Sequence, residues 1–369
     1  MVRRTKLHAV GLAISLLAAC ASFQGNEDLG AAPGTEDPLQ KEQISGELGL
    51  ALDKSLRALE RKGFAGSVLV AKNRRIALLK GYGLADIERG IPNSPATRFE
   101  MNSITKTFTG AVILQLASND RLPLDTPLEK IFGNFPPEKR VATIRQLACH
   151  TAGLVIAGAS LSSETRESFL QDVKEAKRES EPGKSYRYTN AGYSLLAAAI
   201  ERVTGQSFEE QIRQKAFKPA GLRTAIFANE RNRDIHAAQG YSSGGAAQQP
   251  IPYVWGRIGA AGVWATVGDM YRWVLALQDG KIVQGQMQEE LFRPPDPPSD
   301  ECFGWHVYPR TDHMPARIEK GGGSAEFSSQ IIYFPETDIL IIWANNNLEK
   351  RWRSQLNRVL SEISRKDNA

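Results

Sequence analysis

Residues 101–114 read MNSITKTFTGAVIL, a short polar turn that runs directly into an apolar segment. Within it Ser103-Ile104-Thr105-Lys106 is the one S-x-x-K of the chain. The pattern predicts a helix from Thr105 to Ala117, and a three-residue separation sets both side chains on one helical face. A serine hydroxyl is a poor nucleophile until a neighbour takes its proton. Lysine can do so when desolvation and nearby cations depress its pKa. A first-turn position adds the positive end of the helix dipole. Taken alone, the four residues read equally well as a capping serine and a surface lysine.

Working outward, two further patterns also occur once each. Tyr188-Thr189-Asn190 precedes a predicted helix, Ala191–Val203, and Lys320-Gly321-Gly322 ends a predicted strand, Arg317–Lys320. Other familiar patterns fail. Gly183-Lys184-Ser185 lacks the upstream glycine of a phosphate-binding loop, because Arg178 stands there. Gly81-Tyr82-Gly83 continues as Leu84-Ala85-Asp86, which breaks a dinucleotide fingerprint.

In this order and context the three patterns resemble the motif set of the serine β-lactamase and penicillin-binding-protein family, in its class C β-lactamase, DD-peptidase and esterase branch. Cys149-His150-Thr151-Ala152-Gly153-Leu154 resembles the family's H-T-S-G-L turn, and residues 259–270 resemble its A-G-G-L-x-S-T-x-x-D segment. The resemblance implies an acyl-enzyme on Ser103, with Lys106 and Tyr188 sharing the proton relay and Tyr188 held near its phenolate form by Lys106 and Lys320. It implies that Asn190 bonds the substrate amide or Lys106, and that the Ser103 and Gly323 backbone N–H groups bind the oxyanion. Lys320, Gly321, Gly322 and Gly323 would form the substrate-binding edge. No metal or organic cofactor is implied. Gly321 departs from the family's K-T-G, whose threonine helps to bind a substrate carboxylate, so recognition of penicillins and of peptide carboxylates is in doubt.

The element order fits an α+β fold of the β-lactamase/transpeptidase-like kind. Ile44–Leu59 carries apolar residues at helical spacing, and Phe64–Ala71 and Ile76–Tyr82 read as a hairpin joined by residues 72–75. Helices follow at Thr143–His150, Ser207–Phe217 and from Thr266. The strands return at Gly304–Tyr308, Ser328–Phe334 and Ile339–Ala344, and a charged helix closes the chain from about Asn347 to Arg365. This predicts an antiparallel sheet built from both chain ends, flanked by helices, with a mainly helical lobe inserted. The α/β part spans about residues 41–100 and 255–369, and the lobe about 101–254. Tyr186 and His150 read as packing residues; Glu326 reads as an exposed loop acid, the alternative being a carboxylate near the pocket, and Tyr253, Trp255 and Trp264 as core, the alternative being pocket lining.

At the N-terminus, Arg3, Arg4 and Lys6 precede an apolar stretch, Leu7–Leu17, and then Leu17-Ala18-Ala19-Cys20. This has the layout of a secretory signal over residues 1–19, and it resembles the lipobox of bacterial lipoproteins, with Cys20 lipidated. Ala21 after it favours the outer membrane. Residues 20–40 read as a flexible tether and 41–369 as the hydrolase domain. Lys and Arg exceed Asp and Glu by 46 − 41 = 5. Removing the signal takes away three basic residues, leaving +2, which argues against a nucleic-acid partner. Cys149 and Cys302 could be oxidised into one bridge in an exported chain, but nothing in the sequence places them near each other, and two mostly buried free thiols are the expectation. The expectation is a periplasm-facing, lipid-anchored serine hydrolase that cleaves an amide, lactam or ester of a small or peptidoglycan-like acyl substrate. The alternatives are a carboxylesterase on short acyl esters and a non-catalytic penicillin- or cell-wall-binding lipoprotein.

Overall fold

The computed structural model describes residues 36–136, 138–139, 141–154, 163–347 and 351–366. The signal segment and Cys20 lie outside the described residues. Strand β1 (Gln43–Ile44) leads into helix α1 (Gly46–Glu60), then β2 (Gly66–Lys72) and β3 (Arg75–Tyr82). The connection between β2 and β3 is tighter than its polar sequence suggests. Lys72 pairs with Arg75, which leaves Asn73 and Arg74 as a two-residue turn at φ 50° and 60°. Two left-handed residues match the twist of a hairpin.

Two short strands, β4 (Leu84–Asp86) and β5 (Ile91–Pro92), pair with each other. Three more, β6 (Phe99–Glu100), β7 (Ile226–Phe227) and β8 (Val263–Ala265), form a small sheet in the order β6-β8-β7. Between them run α2 (Thr105–Ser118), α3 (Ile144–Ala148) and α4 (Asn190–Thr204), and after β8 comes α5 (Val267–Gln278). Thr143 and Gln146 close the expected capping box on α3, and Thr266 caps α5 through the Asp269 N–H. The helix expected over 207–217 is α-helical only to Ile212 and continues as a π turn, Arg213–Phe217.

The chain returns to strands with β9 (His306–Tyr308), β10 (Arg317–Gly323), β11 (Ser328–Phe334) and β12 (Ile339–Asn345), and α6 (Arg351–Lys366) follows. The described residues form a seven-stranded antiparallel sheet ordered β1-β3-β2-β12-β11-β10-β9, so both ends of the chain meet at β2 and β12. This is the mixed α+β architecture with flanking helices that the sequence predicts.

Strand β12 shows why the sheet sits in the middle. Ile339, Ile341 and Trp343 face α1 and α6 in one core with Leu52, Leu56, Val68, Trp352 and Leu356. Leu340, Ile342 and Ala344 alternate to the other face and join the core of the helical region. A strand buried on both faces needs a continuous apolar run, and residues 339–344 provide one. Ile342 is 1% exposed. Replacing it by alanine should cost about 2–5 kcal/mol of stability, since the cavity sits between two packed layers. Urea denaturation checks this, and a loss under about 1 kcal/mol would contradict the two-faced burial.

Candidate active site

Helix α2 is buried on every side: Thr105 to Leu114 are all inaccessible. Its threonines satisfy their hydroxyls internally, Thr107 on the Ile104 carbonyl at 2.8 Å and Thr109 on the Gly259 carbonyl at 2.7 Å. Ser103 sits in the 3₁₀ turn Asn102–Ile104 that opens the helix, half-buried at its N-terminal end. The residue before it, Asn102, has φ 49°, a left-handed conformation held by an amide hydrogen bond to the Glu100 carbonyl at 3.2 Å.

Lys106, one helical turn on, has no exposed surface. Its Nζ lies 2.7 Å from Asn190 Oδ1, 3.0 Å from the Ala260 carbonyl and 3.2 Å from Ser103 Oγ. Burial and the positive charge of Lys320 hold the Lys106 ammonium well below the usual lysine range, against the opposing pull of Glu301. In the neutral amine, two N–H bonds serve the two carbonyl oxygens and the lone pair faces Ser103. Asn190 is thus a partner of Lys106, one of the two roles the resemblance allows it.

Tyr188 closes the other side of the nucleophile, its hydroxyl donating to Ser103 Oγ at 2.9 Å. Lys106 and Lys320 Nζ lie 4.9 and 5.2 Å from its ring centroid. The electrostatics run against the phenolate that the resemblance implies. Desolvation, and after it the negative charge of Glu301, raise the Tyr188 phenol above its ordinary value. The two lysines do not offset this: the Lys106 ammonium is itself held well below the usual lysine range, and the Lys320 charge is matched by Glu301.

Glu301 carries no sequence motif and was not identifiable as a site residue. It is fully buried and ion-pairs with Lys320, itself 2% exposed. His150 Nε2 lies 3.4 Å from its Oε1, and His306 Nε2 lies 2.9 Å from its Oε2. His150 has the packing role the sequence suggests. Its Nδ1 accepts the Thr189 N–H at 3.2 Å, its carbonyl accepts the Arg187 N–H at 2.8 Å, and its ring lies 4.4 Å from that of Tyr188. Burial pushes its imidazole down to about 4, so it is neutral at ordinary pH. Tyr186 packs edge-on against the same ring at 5.9 Å.

Cys149 and Cys302 are not free thiols. They form a disulfide, with Cα atoms 4.0 Å apart across 153 positions of sequence, a proximity that spacing cannot reveal. The bridge lies immediately beside both His150 and Glu301. The 302–304 loop is further fixed by contact with α2, because a Cβ on Gly110 would meet the Phe303 carbonyl oxygen at 2.3 Å.

Strand β10 extends past Lys320 through all three glycines, paired to β11 as Gly321–Gln330, Gly322–Ser329 and Gly323–Ser328. Each glycine has a different neighbourhood. A Cβ on Gly322 would strike the Met101 carbonyl oxygen at 2.1 Å, so this glycine lets the strand edge approach the Ser103 turn. The space a Cβ on Gly321 would take is held by Arg353 Nη2 and Gln330 Oε1, each 2.7 Å away. Gly323 faces open space.

Glu326 is buried at 4% exposure and not, as expected, an exposed loop acid; burial and the neighbouring Glu100 carboxylate raise its pKa, with Arg257 and Arg231 opposing. Trp264 is core, while Tyr253 and Trp255 are partly buried against it. Gly240-Tyr241-Ser242-Ser243-Gly244 fits the G-x-S-x-G pattern of a nucleophile elbow, but it forms a tight turn closed by a Tyr241–Ala247 bridge, not a strand-to-helix turn.

The structure therefore brings Ser103, Lys106, Tyr188, Asn190 and Lys320 into one site, with Gly321–Gly323 on its edge. Residues 52–361 match the family model described as Beta-lactamase. PbpX of Bacillus subtilis, ascribed to the penicillin-binding proteins, is 27% identical over 281 residues, 73% of this chain and 71% of the relative. The teichoic acid D-alanine hydrolase of Staphylococcus aureus is 25% identical over 336 residues, 89% of this chain and 83% of the relative. The crystal structure of the D-amino acid amidase from Ochrobactrum anthropi superposes with a TM-score of 0.76 at 21% identity, covering 87% of this chain and 100% of that one. The chain belongs to the β-lactamase family of serine hydrolases, the family its motifs at Ser103, Tyr188 and Lys320 resemble.

Proposed function

We propose that this chain hydrolyses an ester or amide through an acyl-enzyme on Ser103, with Lys106 as the base and Tyr188 as the proton shuttle. The observation that carries this reading is the position of Ser103 Oγ, 3.2 Å from a buried, depressed-pKa lysine and 2.9 Å from a protonated tyrosine. As Ser103 Oγ bonds the acyl carbon, its proton passes to the Lys106 amine. The Tyr188 hydroxyl gives its proton to the leaving group as the acyl bond breaks, and the proton now on Lys106 restores it. Water then releases the acyl group by the reverse path. Backbone N–H groups of Ser103 and Gly323 suit the oxyanion.

Two features favour an ester or amide over a β-lactam. Gly321 supplies no threonine hydroxyl for a substrate carboxylate, and the Lys320 charge is already paired. Similarity to a teichoic acid D-alanine hydrolase points the same way. We further propose that the lipobox-like run ending at Cys20 anchors the protein in the cell envelope, facing the periplasm.

Ser103→Ala should lower turnover of p-nitrophenyl acetate by at least about 10³-fold; an unchanged rate would remove the nucleophile assignment. Lys106→Arg should lose about 10²–10⁴-fold at every accessible pH, because a guanidinium stays protonated and cannot act as base. In the parent enzyme kcat/KM should fall as pH drops through the lowered Lys106 pKa, since the folded site loses its neutral amine there. A profile that rises only in the ordinary lysine range would contradict the depressed base. In cell fractionation the full chain should sediment with membranes and Cys20→Ser should not; equal sedimentation would rule out the anchor.

A further inference from the structure

We infer that Glu301 is a specificity-determining residue, whose carboxylate holds the Lys320 ammonium as a neutral pair so that the site favours acyl donors without a carboxylate beside the scissile bond. This rests on the acyl-hydrolase reading above. A lysine 5.2 Å from the centroid of the Tyr188 ring is well placed to attract an anionic substrate. Here that cation is committed. Among the described residues, Glu301 is the carboxylate within ion-pair distance of Lys320, and both are buried.

Two histidines and the disulfide surround the carboxylate. His150 accepts the Thr189 N–H on Nδ1, so its Nε2 carries the proton and points it at Glu301 Oε1. His306 Nε2 stands 2.9 Å from Oε2. The disulfide clamps the next residue on each side, since Cys149 adjoins His150 and Cys302 adjoins Glu301. The other groups that feel this charge are Lys106 from α2, Tyr186 and Tyr188 from the loop before α4, Tyr193 on α4 and Tyr308 on β9; Asp300 adjoins Glu301 in the chain. Arg353 does not replace Lys320. It lies against the side of β10 to which a Cβ on Gly321 would point, opposite to the Lys320 side chain, with Nη2 3.3 Å from the Gly322 carbonyl oxygen.

The test uses two thioesters of N-acetyl-D-alanine, one with thioglycolate and one with methyl thioglycolate, which differ only by the leaving-group carboxylate. The parent should prefer the neutral thioester. Glu301→Gln frees the cation and should raise the anionic-to-neutral ratio of kcat/KM by about tenfold, chiefly through KM of the anionic thioester. Burial depresses the Lys320 pKa and Glu301 opposes this, so in the variant the pKa falls further. The gain should therefore be largest at acidic pH and fade as pH rises, a dependence that a packing defect does not produce. Glu301→Gln/Lys320→Met, which removes both charges, should return the ratio to within about twofold of the parent. If Glu301→Gln does not fold, Glu301→Asp, which withdraws the carboxylate by one methylene, should shift the ratio in the same direction. An unchanged ratio in a folded Glu301 variant, with the parent active on the neutral thioester, overturns this inference alone. A parent that hydrolyses neither thioester overturns the acyl-hydrolase reading and this inference with it.

Discussion

The chemistry depends on the complete burial of Lys106. An ammonium removed from water with no carboxylate at ion-pair distance among the described residues is disfavoured, which shifts Lys106 toward the neutral amine that can act as a base. That burial is a property of α2, which is enclosed around its whole circumference by the core that the helices share with the large sheet. A helix with only one apolar face would leave Lys106 at the surface with an ordinary pKa. The nucleophile and its base are therefore placed by the same residues that form the centre of the core.

Around that neutral amine the remaining charges form a matched set. Lys320 pairs with Glu301, His150 is neutral, and Tyr188 keeps its proton. Glu301 lowers the positive potential of the site while acting against the depression of the Lys106 pKa, so its position reflects a compromise between substrate charge and base strength. The cost of burying Glu301 is offset by three nitrogen neighbours and by its covalent anchorage through the disulfide.

Close backbone approach is the second requirement. Gly322 lets the edge of β10 meet the Met101 carbonyl, and Gly110 does the same for α2 against the Phe303 loop. A side chain at either position would push apart the elements that carry Ser103 and Lys106 from those that carry Lys320 and Glu301. The left-handed Asn102 is a related feature, a conformational cost borne directly beside the nucleophile.

Much of this was legible in the residues themselves. Alternation and apolar runs predicted six of the seven strands of the large sheet, capping residues located α3 and α5, and three short motifs named Ser103, Lys106, Tyr188, Asn190 and Lys320; Ile44, read as the start of the first helix, pairs instead in β1. These signals are local, because helix caps, strand periodicity and three-residue spacings are written in adjacent positions. The two-residue turn at Asn73 and Arg74, the short β6-β8-β7 sheet, the Cys149–Cys302 bridge, the burial of Glu326 and the pairing of Glu301 with Lys320 were not legible. Each depends on groups far apart in sequence or on backbone register, and single-position patterns do not encode which distant charges share a cavity. Titration divides in the same way: residue type sets which groups can carry a proton, whereas desolvation and neighbouring charge, which exist only once the chain has folded, shift their pKa values.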